Sequence, residues 1–458
     1  MFGLATSYGM KKFGLFLVDI AILYGALALV IVFRFKNNFR TDFYLHLLPF
    51  SLLFMVWLLV FFISNLYDIN LAKNDTKFFS NFLYAIAVSS VISIVFFYFI
   101  SFFGITPKTN LFLFIVFYTV LGFLWRYAFN HLISISGNKN STLIIGNNVQ
   151  SQELYDFLLA NPQLGYNALG IIDVSDATVP SILEDLIRQK KIRTLVLSPQ
   201  AYKIPRIIEI FYKVIRLNII FFNLSDFYER VTNKIPLGSI DQIWFLQNLS
   251  EGTKHGYEIS TRVLDIIFSF IFGVVSLPFY PLIILAIRLD SRGPVFFRQS
   301  RVGRAGKIFT LTKFRNMISN SSDGSAEGST GPVWASADDP RVTRVGKFLR
   351  RSRIDELPQL WNVLKGEMSF VGPRPERPEF HEKLKKEIPF YEERYLIKPG
   401  LTGWAQLKYK LDFKGGMTVQ DTFEKLQYDL YYIKNRSLLL DLTIILKTIN
   451  KLLRQEGK

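Results

Sequence analysis

Asp355 and Glu356 stand side by side in the stretch RRSRIDELPQLWNVL, behind a run of arginines and just ahead of a proline. Adjacent carboxylates can serve two chemistries: one oxygen can attack phosphorus as a nucleophile, and the pair can hold Mg²⁺. The same residues also suit a helix start. Asp355 would cap free backbone N–H groups, and Glu356 in the first turn would be favoured by the helix dipole. Pro358 is tolerated in a first turn. Leu357, Leu360, Trp361 and Leu364 then recur at helical spacing as one apolar face. The spacing alone leaves both readings open.

The neighbouring residues narrow the chemistry. Upstream lie Lys313 and Arg315 in TKFRNM, and Arg341, Arg344, Lys347, Arg350, Arg351 and Arg353 in RVTRVGKFLRRSR. Downstream, GEMSFVGPRPE places Arg374 between Pro373 and Pro375. An arginine fork matches phosphate oxygens bidentately, and proline-fixed backbone holds such a fork rigidly. Cations close to a carboxylate favour its charged form, so both acids are expected to be ionised. The constellation points to phosphate.

Composition removes several alternatives. The chain has 458 residues, no cysteine and a net charge of +17. Disulfides, thiolate catalysis and cysteine-ligated zinc are therefore excluded. His46, His131, His255 and His381 are scattered and show no metal-ligand spacing. The mean hydropathy of +0.24 is high for a soluble protein. The positive charge suits nucleic acid, anionic lipid or a phosphorylated substrate. A first 130 residues that are mostly hydrocarbon offer no basic stripe, which argues against nucleic acid.

The elements that must position the acidic pair follow from hydropathy. Apolar segments near 13–33, 45–66, 79–103 and 111–130 each approach the ~20 residues of a transmembrane helix. Arg34, Lys36 and Arg40 follow the first segment where a cleavable signal would show small residues. Four spans place both ends on one side of the membrane. Next, STLIIGNN, NALGIIDVSD and IRTLVLSP read as strands separated by helical segments, a pattern that predicts a parallel, Rossmann-like sheet. After Gly146 the later glycines of a dinucleotide fingerprint are missing, so a structural or regulatory domain is expected there. A fifth apolar stretch between Arg262 and Arg288 is broken by Ser276, Pro278 and Pro281. It reads as a kinked span or as a hairpin that enters one leaflet and returns; the arginine at each end favours the hairpin. PVFFRQSRVGRAGKIFTLTKFRNM predicts two strands around a glycine turn, and residues 319–340 a Gly/Ser-rich loop. SLLLDLTIILKTINKLLRQ predicts an apolar helix suited to a membrane surface.

The stretches SLPFYP, GPVFFRQSRVGR, LTKFRNM, RVTRVGKFLRRSRIDELPQLWNVLKGEMSFVGPRP and KPGLTGWAQ together resemble the catalytic domain of the bacterial monotopic polyprenyl-phosphate phosphoglycosyl transferases. The whole chain is similar to the long-form members that initiate exopolysaccharide, capsule or O-antigen synthesis. The resemblance implies a membrane protein of α plus α/β class. Its parts would be a four-helix transmembrane bundle over 1–138, a degenerate Rossmann-like domain over 139–250 and a mainly α catalytic domain over 255–458. A re-entrant helix at about 262–288, broken at Ser276 and Pro278, would anchor that last domain in the bacterial inner membrane with its active site facing the cytoplasm. The resemblance further implies that Asp355 attacks the β-phosphate of a UDP-sugar, releasing UMP. The resulting sugar-phosphoryl aspartate would pass to polyprenyl (undecaprenyl) phosphate. Glu356 would hold Mg²⁺, and Lys313, Arg350 and Arg374 would bind phosphates. The sugar stays open, glucose or galactose being the expectation and N-acetylated sugars the alternative; a homodimer is also left open. The competing reading is a membrane-anchored scaffold or ligand sensor without catalysis, against which both members of the acidic pair are retained.

Overall fold

The computed structural model describes residues 2–35, 38–99, 108–135, 139–175, 179–249, 254–319, 321–326, 339–409 and 418–454. Most of the Gly/Ser-rich stretch expected as a loop over 319–340 lies outside the described residues. The chain divides into two compact units, Met1–Leu224 and Ser225–Lys458.

The first unit opens with four long helices, α1 (Phe2–Arg34), α2 (Phe39–Ile63), α3 (Thr76–Phe99) and α4 (Lys108–Ile135). α1 and α4 extend beyond both ends of the apolar runs that predict them, because polar residues at the ends continue the same backbone hydrogen bonding. All four are long and apolar enough to cross a membrane. Their inner faces share one core, in which Trp57, Phe61, Phe114 and Tyr118 are packed ring against ring. Outward residues such as Val32, Met55, Val91 and Leu124 are exposed, as lipid-facing positions must be. One ion pair lies inside this apolar core: Asp19 on α1 meets Arg126 on α4 at 2.5 Å, and Arg126 also donates to the Leu66 carbonyl. Buried charges in hydrocarbon survive only when paired in this way, so the pair fixes the register of α1 on α4.

The rest of the first unit is a parallel sheet, as the strand–helix alternation predicts. Its strands β1 (Asn140–Ile145), β2 (Tyr166–Ile172), β3 (Thr194–Leu197) and β4 (Ile220–Asn223) lie in the order β2-β1-β3-β4. The helices α5 (Val149–Ala160), α6 (Val179–Gln189) and α7 (Pro205–Val214) connect them. At the end of β1, Gly146 has φ +101, and a Cβ there would fall 1.7 Å from Ser198 Oγ. That glycine is required by the close approach of β3, whatever else the turn does.

The second unit begins with α8 (Leu224–Thr232) and α9 (Gln242–Asn248). Ile235, Leu237, Trp244 and Phe245 enter the same core as Leu384, Tyr391, Trp404 and Leu430. Then come α10 (His255–Ser276) and α11 (Tyr280–Asp290), joined by a 3₁₀ turn over Leu277–Phe279. Pro278 and Pro281 lack backbone donors, which accounts for the tightened turn between them and the preceding helix. The apolar surface of this pair is mostly exposed: Phe270, Val274, Val275, Leu277 and Leu282 all face outward. Yet both arms pack on the same body. On α10, Arg262 donates to the carbonyls of Val363 and Leu364, and Phe268 packs against Phe370. On α11, Tyr280 packs edge-on to Phe314, and Asp290 accepts from the Val345 amide.

The antiparallel hairpin of β5 (Phe296–Val302) and β6 (Ile308–Phe314) matches the two strands read from the sequence. After it come α12 (Arg344–Ser352), a 3₁₀ segment over Ile354–Gln359, and α13 (Leu360–Lys365). The short parallel strands β7 (Ser369–Val371) and β8 (Gly400–Thr402) flank α14 (Pro378–Glu387). The chain closes with α15 (Trp404–Lys408), α16 (Val419–Asn435) and the expected apolar helix α17 (Leu438–Leu453).

Candidate active site

The acidic pair lies in the 3₁₀ segment between α12 and α13, and it does not cap a helix: no side-chain cap bond forms at either helix start. This corrects the capping expectation. The physical reason is Arg353, whose φ of 57 turns the chain through the left-handed region immediately before the pair. That turn ends α12 and carries Asp355 toward the hairpin instead of along a new helix axis. The single apolar face expected for the following residues is also revised. Leu360 and Val363 are buried, but Trp361 is 61% exposed and stacks with the Lys365 ammonium.

Asp355 is buried, and Asn316 Nδ2 donates to its Oδ2 at 2.7 Å. Its other oxygen, Oδ1, is buried without a hydrogen-bond partner. A buried carboxylate oxygen left bare costs free energy, so it marks a place where a ligand completes the site. Glu356 is held differently. Arg353 Nη1 and Arg374 Nη2 both donate to its Oε1, each at 2.9 Å.

The two acids titrate in opposite directions. Burial and the Glu356 charge beside it raise Asp355, outweighing Lys313, Arg353 and Arg374. Burial would raise Glu356 as well, but the Arg374 and Arg353 guanidiniums outweigh it and hold Glu356 below the usual range. The sequence expectation that nearby cations would lower both is therefore right for Glu356 and reversed for Asp355. Lys313 is pushed down to about 8 by burial, partly offset by Asp355. Its ammonium lies over the Phe297 ring across the hairpin.

Arg374 is half exposed, and the segment carrying it, just past β7, is fixed at the backbone. Arg394, buried and paired with Asp429 at 3.0 Å, donates to the Arg374 carbonyl; Arg301 donates to the Pro375 carbonyl. Gly372 and Gly400 bring β7 and β8 together so closely that a Cβ on Gly400 would fall 2.1 Å from the Gly372 nitrogen. This packing makes the Arg374 side chain the projecting end of a rigid strap, with its tip on Glu356.

Lys313, Asp355, Glu356 and Arg374 thus share one electrostatic centre. Arg350 lies one turn earlier on α12, where its charge acts on Asp339; among the described residues it makes no side-chain hydrogen bond or ion pair with either acid. Ser276 and Pro278 sit at the α10–α11 turn, where Ser276 is buried and donates to the Gly273 carbonyl, and neither bonds to this cluster. Arg353, named from the sequence only as one of a basic run, and Asn316 are the two contacts to which sequence reasoning gave no role. Both lie inside quoted stretches, RRSRIDELPQ and TKFRNM, where one arginine among many and one asparagine carry no distinguishing signal.

Asn316 is itself positioned by its backbone. Its carbonyl accepts from the Thr343 amide, and a Cβ on Gly346 would fall 2.0 Å from that oxygen. Gly346→Ala is therefore expected to destabilise the second unit by ~1–3 kcal/mol through overpacking. It should also lower activity by shifting Asn316 off Asp355. Thermal unfolding of the detergent-solubilised protein checks this; a variant that melts with the native protein and turns over normally would contradict it.

An acid with one bare buried oxygen, a second acid clamped by two arginines and a nearby lysine form a cluster whose charges suit phosphate, in the unit that carries the apolar α10–α11 pair. Residues 256–455 match the bacterial sugar transferase family. The chain is 31% identical over 353 residues to a UDP-glucose:undecaprenyl-phosphate glucose-1-phosphate transferase of Xanthomonas campestris pv. campestris, covering 73% of this chain and 70% of that protein. It is 43% identical over 205 residues to a UDP-N-acetylgalactosamine-undecaprenyl-phosphate N-acetylgalactosaminephosphotransferase of Aeromonas hydrophila, covering 44% of this chain and 45% of that protein. A UDP-glucose:undecaprenyl-phosphate glucose-1-phosphate transferase of Caulobacter vibrioides is 39% identical over 224 residues, 80% of its length. The chain belongs to the bacterial sugar transferase family. It spans less than half the length of the Aeromonas relative.

Proposed function

We propose that the protein transfers a sugar-1-phosphate from a UDP-sugar to undecaprenyl phosphate, using Asp355 as a covalent nucleophile. The observation that carries this reading is the bare, buried Oδ1 of Asp355 beside a cluster of cations. Asn316 holds Oδ2, which leaves Oδ1 as the attacking atom. Oδ1 forms a bond to the β-phosphorus of the donor as the bond from that phosphorus to the bridging oxygen breaks. UMP leaves with the electron pair, and a sugar-phosphoryl aspartate remains. A phosphate oxygen of the lipid acceptor then attacks the same phosphorus, and the Asp355 carboxylate departs unchanged. Arg374, on its rigid strap, and Lys313 stabilise charge on the phosphoryl oxygens as it develops. Arg350 serves the outer phosphate of the donor.

Mg²⁺ fits this donor set. The ion is usually held by one or two carboxylates together with substrate phosphates and water. Among the described residues no cluster of three or more acidic, histidine or cysteine side chains offers an all-protein cage. Glu356 would hold the ion together with the donor phosphates and water, and the ion would neutralise charge on the diphosphate.

The donor class follows from the relatives, whose names specify UDP-glucose and UDP-N-acetylgalactosamine. We assign the product to the first membrane step of an exopolysaccharide, capsule or O-antigen pathway. UMP release should appear when UDP-sugars are offered singly with undecaprenyl phosphate and Mg²⁺, and should stop when the metal is chelated. No UMP from any hexose or N-acetylhexosamine donor would favour the non-catalytic scaffold.

Access to a cytosolic donor requires the α10–α11 pair to enter and leave on the cytoplasmic side of the inner membrane. Support comes from Arg262 and Asp290, near the two ends, which both bond to the same folded unit. The chain has no native cysteine, so single replacements report without background. Asn248→Cys and Asp323→Cys should both react only with reagent on the cytoplasmic side. Labelling of the Asp323 position from outside intact cells would overturn the hairpin.

A further inference from the structure

A cavity of about 400 Å³ opens beside the polar end of α10, and neither acid of the pair nor Lys313 or Arg374 lines it. Its cationic walls come from separate elements: Arg262 on α10, Arg304 in the β5–β6 turn, Lys398 ahead of β8 and Arg436 after α16. Two carboxylates face them, Glu258 and Asp265. Their partners are accounted for. Glu258 pairs with Arg304 at 3.2 Å and with Arg436 at 3.5 Å. Asp265 accepts from the Ser369 hydroxyl and the Phe370 amide. Arg262 is engaged by two helix-end carbonyls, at 2.6 Å each, with no carboxylate bonded to it.

Lys398 is different. Among the described residues its ammonium makes no hydrogen bond or ion pair, although it lines the cavity. It converges with Arg262 on Gly366: a Cβ there would lie 3.5 Å from Lys398 Nζ and 3.4 Å from the Arg262 guanidinium carbon. The Asp265 charge acts on both cations, yet no carboxylate is bonded to either, so the Lys398 ammonium keeps its donors for an anion from outside the chain. Phosphate oxygens satisfy an ammonium and a guanidinium together.

The cavity is also partly apolar, and its apolar wall is continuous with the lipid-facing surface. Ile259 and Val263 line it and are 65% and 50% exposed. Further along α10, Phe270, Ile271 and Val274 are exposed on the stretch long and apolar enough to enter a membrane. The mouth therefore sits where hydrocarbon gives way to charge, which is where a lipid carries its phosphate.

We propose that this cavity binds the phosphate group of a membrane lipid, with Lys398 and Arg262 on the phosphate and the acyl or prenyl chain lying along Ile259 and Val263. The site goes beyond the transferase reading and is separate from Asp355. It rests only on the protein being membrane-embedded.

The test uses the full chain in neutral detergent, with bound lipid counted by native mass spectrometry during titration with phosphatidylglycerol. Diacylglycerol of the same chains and inorganic phosphate serve as single-feature probes. The native protein should retain phosphatidylglycerol, should not retain diacylglycerol, and should keep its lipid in millimolar inorganic phosphate. Lys398→Gln should weaken retention roughly five-fold, the worth of one interfacial cation. Lys398→Arg should restore it. Asp355→Asn should leave it unchanged, so that failure of the transferase reading and failure of this one are distinguishable. Undecaprenyl phosphate is the last arm. Displacement of phosphatidylglycerol by it names the carrier lipid as occupant, and resistance names a bilayer phospholipid; either upholds the site. Equal retention by the native and Lys398→Gln proteins would overturn the proposal. So would displacement of the lipid by inorganic phosphate alone.

Discussion

Asp355→Asn is expected to lower UMP release by on the order of 10³-fold or more, the scale of losing a covalent nucleophile. The amide keeps the shape of the carboxylate and can still accept from Asn316, but it cannot attack phosphorus. Stability should move the other way. Burial and the neighbouring Glu356 already disfavour the charge on Asp355. Removing that charge therefore relieves a cost, and the variant should melt at the native temperature or slightly above it. Higher stability joined to lost activity is the signature of a residue kept for chemistry. A variant that both unfolds and loses activity would assign Asp355 a structural role.

Glu356→Gln should cost roughly 10²-fold in turnover, within the range for removing one electrostatic partner at a reacting centre. Glu356 is the shared acceptor of Arg353 and Arg374. A neutral amide removes the anion that lies between the two guanidiniums, so the two arginines repel and the half-exposed Arg374 swings away from the phosphate path. Mg²⁺ would bind more weakly too, and raising its concentration should recover part of the loss. Lys347→Gln, on the same basic run but outside this cluster, should turn over nearly as the native protein does. Equal losses from the two variants would mean that bulk positive charge, and not the clamp on Glu356, supports the reaction.

Much of this arrangement is legible before any coordinates. Hydrophobic length alone marks the four N-terminal helices and the α10–α11 pair, because burying or immersing some twenty apolar residues leaves few alternatives. Alternation marks β5 and β6, and the strand–helix rhythm marks the parallel sheet. Asp355 and Glu356 are visible because adjacent acids inside a basic run are chemically conspicuous. What sequence does not reveal depends on single dihedrals and long-range contacts. The φ of 57 at Arg353 converts a helix start into a 3₁₀ segment, and no propensity scale places an arginine there. Asn316 meets Asp355 across 39 positions of chain, a pairing set by the hairpin and by the absence of a Cβ at Gly346. The opposite titration of the two acids likewise needs burial and geometry. From the sequence both have the same cations nearby, whereas in the fold the guanidiniums bond to Glu356 and not to Asp355.

The covalent role of Asp355 is tested most directly by intact-mass analysis of the native protein, quenched after exposure to its UDP-sugar donor and Mg²⁺ with no lipid acceptor present. The account predicts one added sugar-phosphate per chain, mapped to the peptide containing Asp355, released on addition of undecaprenyl phosphate and absent from Asp355→Asn. UMP formation that strictly requires the acceptor, with no adduct on the native protein at any time, would contradict it.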